Sequence, residues 1–251
     1  MENKQLALFK KNIENYTGKS PFDSSLLIAT QGDIDVYFSP FEYVNTEARI
    51  VLVGISPGAT QAHNANIAAQ ASFMKGLPDE KVSQLAKETA SFSGALRKNL
   101  IAMLDEVGVN TRLGIISCSS LFDENKHLLH STSIFRYPTL LKGKPISTAK
   151  NGLRLEILKD MVTSCFDDEC RQLDSNVLYI PLGQGVADIL LSLGQNGKIR
   201  EEMILAGMPH PSGANAERIS YFLGRKDREK LSTKTNPDKI DNAKAELLAK
   251  I

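Results

Sequence analysis

The chain has few of the features that mark extreme protein classes. It carries only three cysteines, Cys118, Cys165 and Cys170, with no C-x-x-C pair. That number is odd, so a disulfide framework is not expected, and a reducing cytoplasmic setting is. Four cysteines at cluster spacing would be needed for an iron–sulfur centre, so none is expected. No run of 18 apolar residues exists to span a membrane, and the start, Met1-Glu2-Asn3-Lys4-Gln5, lacks the apolar stretch of a secretory signal. Short repeats are missing, which excludes collagen-like and coiled-coil order. An excess of one charge is missing too: 30 Lys and Arg face 29 Asp and Glu. Any nucleic-acid contact must then come from a local patch. What remains is 251 residues, 42% hydrophobic, the composition of an ordinary globular protein with a substantial core.

Four short apolar runs read as strands covered on both faces: Arg49 to Ile55, Leu113 to Ser117, Val177 to Leu182 and Met203 to Met208. Helix-period faces alternate with them. Leu96, Leu100, Met103, Leu104 and Val107 form one, closed by Gly108 where a C-cap glycine belongs. Leu153, Ile157, Leu158, Met161, Val162, Cys165 and Phe166 form a second. Val186, Ile189, Leu190 and Leu193 form a third, and Ile219, Phe222 and Leu223 a short fourth. Leu6, Phe9, Ile13 and Tyr16 repeat at helical spacing near the start, as do Ile240, Ala243, Leu247 and Leu248 near the end. The alternation predicts a three-layer α/β/α sandwich around a short four-stranded parallel sheet. No linker is visible, so residues 1–251 read as one domain, with a core over about 49–224 and helical extensions at both ends. Two stretches fit this scheme poorly. Ala59 to Phe92 reads as a partly helical excursion, and Leu121 to Asn151 as a long polar loop of the kind that carries function.

Ligands of open parallel sheets bind beyond the carboxyl ends of the strands. There the sequence offers Gly54-Ile55-Ser56-Pro57-Gly58, Ser117-Cys118-Ser119-Ser120, Leu182-Gly183-Gln184-Gly185 and Pro209-His210-Pro211-Ser212-Gly213. Gly54 to Gly58 matches a G-x-x-P-G motif after a first strand. His210-Pro211-Ser212 matches an H-P-S motif after a last strand, Leu182, Gly183 and Ala187 a Leu-Gly segment, and Phe92-Ser93-Gly94 a Phe-x-Gly segment. In this order and composition the chain resembles the uracil-DNA glycosylase superfamily from about Arg49 to Gly224.

The resemblance implies a monofunctional DNA glycosylase that hydrolyses the N-glycosidic bond of a flipped base. It assigns His210 as hydrogen-bond donor to the departing base and Ser56 to the water site. A base pocket would comprise Gly54, Ile55, Pro57, Gly58, Phe92 as stacking ring, and Ser117. Ser56 departs from the Asp or Asn often found at its position; a hydroxyl orients water but is a poor base. Gln61, His63, Asp33 and Asp35 are the nearby groups expected to help. Ser117 stands where the family often has a uracil-reading Asn, so a bulkier base is expected, such as a hypermodified cytosine of phage DNA. That would suit defence as well as repair. DNA would be gripped by Ser212, Gly213, Asn215 and Arg218, and by the basic run Arg225, Lys226, Arg228, Lys230 and Lys234.

No cofactor is expected. His127 and His130, near Asp123 and Glu124, fit no strong zinc pattern and read as a surface loop. Nucleotide-binding glycine fingerprints and the G-x-S-x-G elbow are missing. The alternatives are a non-catalytic nucleic-acid or base-binding protein on the same fold and a nucleoside or nucleotide N-glycosidase.

Overall fold

Four consecutive residues without exposure, Ile50 to Val53, form the middle of the sheet. The computed structural model describes residues 4–92, 94–147 and 155–251. Ser93, Asn151 and Leu153, invoked above, lie outside the described residues. Strands β1 (Leu27–Gln31), β2 (Ile34–Tyr37), β3 (Ile50–Gly54), β4 (Leu129–Ser133), β5 (Thr139–Leu141), β6 (Lys144–Pro145) and β7 (Leu178–Pro181) form two sheets. The first has the order β4-β3-β7. β3 and β7 run parallel, with Ile50 opposite Leu178 and Val53 opposite Pro181. Helices flank this sheet, so the fold is an α/β sandwich, as the alternation of elements predicts.

The parallel sheet differs from expectation at two strands. The fourth run contributes a single parallel bridge, Ile204 to Tyr179. The second run is no strand at all: Gly114 (φ +70°) ends a short helix, and Ile116 is 99% exposed. The flanking strand is instead β4, within the stretch read as a polar loop. Its sequence, Leu-His-Ser-Thr-Ser, shows no apolar run because its buried polar side chains find partners from distant segments. Thr132 donates to Glu169, and Ser131 meets Ser91 at 3.2 Å. His130, expected in a surface loop, is buried on the same strand.

The chain organises into two compact units, each built from three segments. The first takes residues 1–46, 54–91 and 131–173; the second takes 47–53, 92–130 and 174–251. In the first, α1 (Lys4–Glu14) buries Leu6 and Ile13 as its spacing requires. The excursion after β3 is a helix pair, α2 (Ala59–Met74) and α3 (Asp79–Ala90). The hairpin β1–β2, turning at Gly32, joins β5 and β6 in an antiparallel sheet of order β1-β2-β5-β6. The segment after residue 154 forms α6 (Glu156–Met161), a π-helical turn (Val162–Phe166) and α7 (Asp167–Gln172).

In the second unit, α4 (Gly94–Glu106) and α5 (Val109–Leu113) meet at Gly108, whose φ of +82° suits glycine. α8 (Gln184–Gln195) follows β7, α9 (Ala216–Phe222) follows the last motif, and α10 (Pro237–Lys250) closes the chain. Asn236 caps α10 by accepting the N–H of Lys239, with Pro237 in the first turn. Ile50, Leu52, Leu100, Met103, Ile180 and Phe222 share one core with Leu247 of α10. Gly207 lies against that helix: a Cβ there would stand 2.8 Å from Ala243 Cβ, at a φ of +114°.

Gly207→Ala therefore adds overpacking to backbone strain and is expected to cost about 2–5 kcal/mol in urea unfolding. Gly32→Ala, also at positive φ but with nothing within 4 Å, is expected to cost only about 1–2 kcal/mol.

Candidate functional site

The last motif is arranged around its imidazole. His210 is half-buried on the loop that follows the Ile204 bridge. Its Nδ1 accepts the backbone N–H of Ser212 at 3.2 Å. With Nδ1 occupied as acceptor, the neutral ring carries its proton on Nε2, which makes Nε2 a donor. Burial pushes the pKa below the usual 6.5, favouring that neutral form. Gly183, between β7 and α8, makes room for the ring: a Cβ there would sit 3.3 Å from His210 Cδ2. Its φ of +101° is a second reason for glycine. Asn99 of α4 donates to the Pro211 carbonyl at 2.9 Å and pins the loop. No periodicity or motif pointed to Asn99, because its role depends on a carbonyl 112 residues away.

Beyond the imidazole, a chain of side-chain bonds orders the motif. Asn215 Nδ2 reaches Ser212 Oγ at 3.4 Å, and Arg218 reaches Asn215 Oδ1 at 3.1 Å and the Lys234 carbonyl at 3.1 Å. Gly213 opens the single turn before α9. Three residues of the basic run, Lys226, Arg228 and Lys230, pair with nearby acids. Glu217 accepts Lys226 at 2.7 Å together with the hydroxyls of Ser232 and Thr235, which holds its carboxyl well below the usual range. Arg228 pairs with Asp238 and Asp241, and Lys230 with Asp227 at 2.6 Å. Phe92 is half-buried and packs against the core of the second unit. Its carbonyl accepts Arg97 Nε, and the Arg97 guanidinium lies 4.6 Å over the Phe122 ring.

Ser117 sits outside any strand. Its hydroxyl donates to Asp105 Oδ2 at 2.7 Å and accepts the N–H of Ser119 at 3.1 Å, capping the turn Cys118–Phe122. Both bonds serve the local turn. The strand expected to end at Ser117 is absent, so Ser117 does not stand at a strand end.

The first motif belongs to the first unit. Gly54 and Ile55 offer their carbonyls to the N–H groups of Ile134 and Phe135 at 2.9 and 2.8 Å. A Cβ on Gly54 would come within 3.3 Å of Ser133 Oγ. Ser56 Oγ donates to the Tyr137 carbonyl at 3.2 Å and accepts the N–H of Thr139 at 3.1 Å. Its proton and one lone pair are thus spent on the segment leading into β5. After Pro57, Gly58 starts α2, its N–H donating to Gln61 Oε1 at 3.2 Å. Gln61 also holds the Ala90 carbonyl at 3.4 Å, so it serves the motif's backbone. His63 Nδ1 lies 3.0 Å from Tyr16 Oη. Asp33 pairs with Lys142 and Asp35 accepts from Thr30, both on the antiparallel sheet. Among the described residues, no group of three or more His, Cys, Asp or Glu is arranged to hold a metal ion. No helix among them is long and apolar enough to cross a membrane.

Ser117→Ala removes a cap and a carboxylate bond, and is expected to lower unfolding free energy by about 1–2 kcal/mol in denaturant titration. His210 is expected to titrate below pH 6.5 by NMR, with its proton on Nε2. Because the folded pKa is depressed, its contribution to stability is complete above the unfolded value and is lost as pH falls below it. A proton found on Nδ1 would overturn the tautomer.

No family model matches the chain, and no solved structure matches it. A curated relative does: the uncharacterized protein YoxB of Bacillus subtilis (strain 168) is 34% identical over 200 residues, spanning 79% of this chain and 78% of that protein. At that identity and coverage, the chain belongs to the same family as YoxB.

Proposed function

We propose that the chain is a monofunctional DNA glycosylase, which hydrolyses the N-glycosidic bond of a flipped, uracil-like or modified base and leaves an abasic site. The observation that carries this reading is His210, a neutral imidazole with Nδ1 satisfied and Nε2–H left as donor. When the base–sugar bond breaks, the base takes the electron pair and positive charge develops on the sugar. A preorganised N–H aimed at a base oxygen stabilises that anion, worth on the order of 10²–10³ in rate. Water adds to the sugar carbon and gives up its proton to solvent. Neither motif contains a lysine for a Schiff base, so water is the nucleophile of this reading. The target base leaves the stack before it reaches the pocket.

Ser56 supports the reaction through the shape of the first motif and its one remaining lone pair, because its other hydrogen-bonding capacity is committed. Ser212, Asn215 and Arg218 form the connected polar surface that would meet DNA. A cytoplasmic setting suits three cysteines that form no disulfide. The second reading is a non-catalytic nucleic-acid or base-binding protein on the same fold. The commitment of the Ser56 hydroxyl favours it.

Oligonucleotides carrying uracil or glucosylated hydroxymethylcytosine, scored for alkali-labile breaks, separate the two. His210→Ala is expected to lower base release at least tenfold with circular dichroism unchanged. Unchanged release would remove the assignment of His210. Salt-sensitive binding without any breaks would establish the second reading instead.

A further inference from the structure

The first unit contains a cavity of about 1420 Å³, above the roughly 300–1,000 Å³ of ordinary small-molecule pockets. Its aliphatic lining comes from Leu8 of α1, Ile28 and Val36 of the hairpin, Val44, and Ile157 and Met161 of α6. Within its polar lining, Arg136, Tyr137 and Glu42 form one cluster.

Arg136 is only 5% exposed. Its Nε and Nη2 both reach Glu169 Oε1 at 2.8 Å, and Nη2 also donates to the Cys165 carbonyl at 3.0 Å. Its Nη1 has no hydrogen-bond partner among the described residues. A guanidinium presents five donors in a rigid fork, so two N–H groups remain to be used. Glu169 is fully buried and also faces Lys87 Nζ at 3.8 Å, so one carboxylate serves two cations. Glu42 is the next acid. Its carboxyl accepts the Tyr137 hydroxyl at 2.7 Å and the Leu6 N–H at 3.1 Å, and burial raises its pKa toward the neutral form. The cluster therefore has cationic character beside an aliphatic space. The π-helical turn of Val162–Phe166 brings Ser164 and Cys165 to the same wall. Such turns are rare and concentrate at functional sites.

We propose that this cavity binds a long-chain carboxylate, its headgroup on Arg136 Nη1 and its alkyl chain along the aliphatic walls. Asp79, Glu80 and Asp160 also line the cavity, and their negative charge opposes any anion in proportion to its charge, so it weighs most against phosphates and other polyanions. A single carboxylate with an apolar body satisfies both conditions. The site uses none of the residues assigned to base excision and does not rest on that reading.

Isothermal titration calorimetry of the full chain at pH 7, with dodecanoate and dodecylamine as probes, tests it. Dodecanoate is expected to bind one per chain, and dodecylamine at least tenfold more weakly. Arg136→Met is expected to weaken dodecanoate at least tenfold. Because that change also strips Glu169 of a partner, Ala29→Phe provides a second variant: it narrows the cavity from β1 without touching the cluster. It too is expected to weaken dodecanoate at least tenfold, with circular dichroism unchanged. Lack of dodecanoate binding, equal binding of the amine, or full binding by a folded variant of either kind would overturn the proposal.

Discussion

The strand β3 sets the conditions that the second unit must meet. Ile50 to Val53 are without exposure, so their peptide groups have no access to water and must find partners along both edges. β7 meets one edge in parallel register, and the opposite edge is satisfied by β4, starting with Arg49 donating to the Leu128 carbonyl. A strand paired on both sides is held in register by hydrogen bonds to two neighbours at once. Its carboxyl end is fixed accordingly. Gly54 is where the first motif leaves the sheet, and Gly183 is where the chain leaves the neighbouring strand.

That fixed edge explains the chemistry of His210 better than the histidine's own sequence context does. Gly183 lets the backbone pass within van der Waals distance of the ring, and Asn99 ties down the proline that follows it. The Ser212 N–H then selects the tautomer. Three separate elements thus prepare one N–H, and preorganisation of this kind removes the reorganisation that a mobile donor would cost during a reaction. Ser56 is held by the same kind of backbone contact, but its hydroxyl is consumed by it. The two motifs are alike in rigidity and differ in what they leave available.

The first unit depends on a different device. Glu169 gathers Arg136, Thr132 and Lys87 around one buried carboxylate. Burying such a group costs several kcal/mol unless its oxygens are satisfied, and these contacts join β4, α3 and α7 to the segment before β5. Lys87, brought down to about 8 by burial, also donates to the Tyr43 carbonyl at 2.7 Å. Polar residues therefore specify this unit as much as apolar ones do.

Local patterning was enough for four of the helices and for two strands. Leu6 to Tyr16, Leu96 to Val107, Val186 to Leu193 and Ile240 to Leu248 carry their periodicity in the sequence, and β3 and β7 are unbroken apolar runs. The turns that carry the candidate motifs were legible as well, since glycine and proline mark sharp turns directly. Tertiary structure alone decided the rest. It made a strand of Leu-His-Ser-Thr-Ser by supplying hydrogen bonds from residues 37 and 40 positions away. It left Ile116 exposed and turned Ser117 into a helix cap, through an aspartate 12 positions earlier. It also paired Lys226, Arg228 and Lys230 of the basic run with nearby acids. Side-chain type is written along the chain, but which hydrogen-bonding groups are already occupied depends on neighbours that only folding brings within 3 Å.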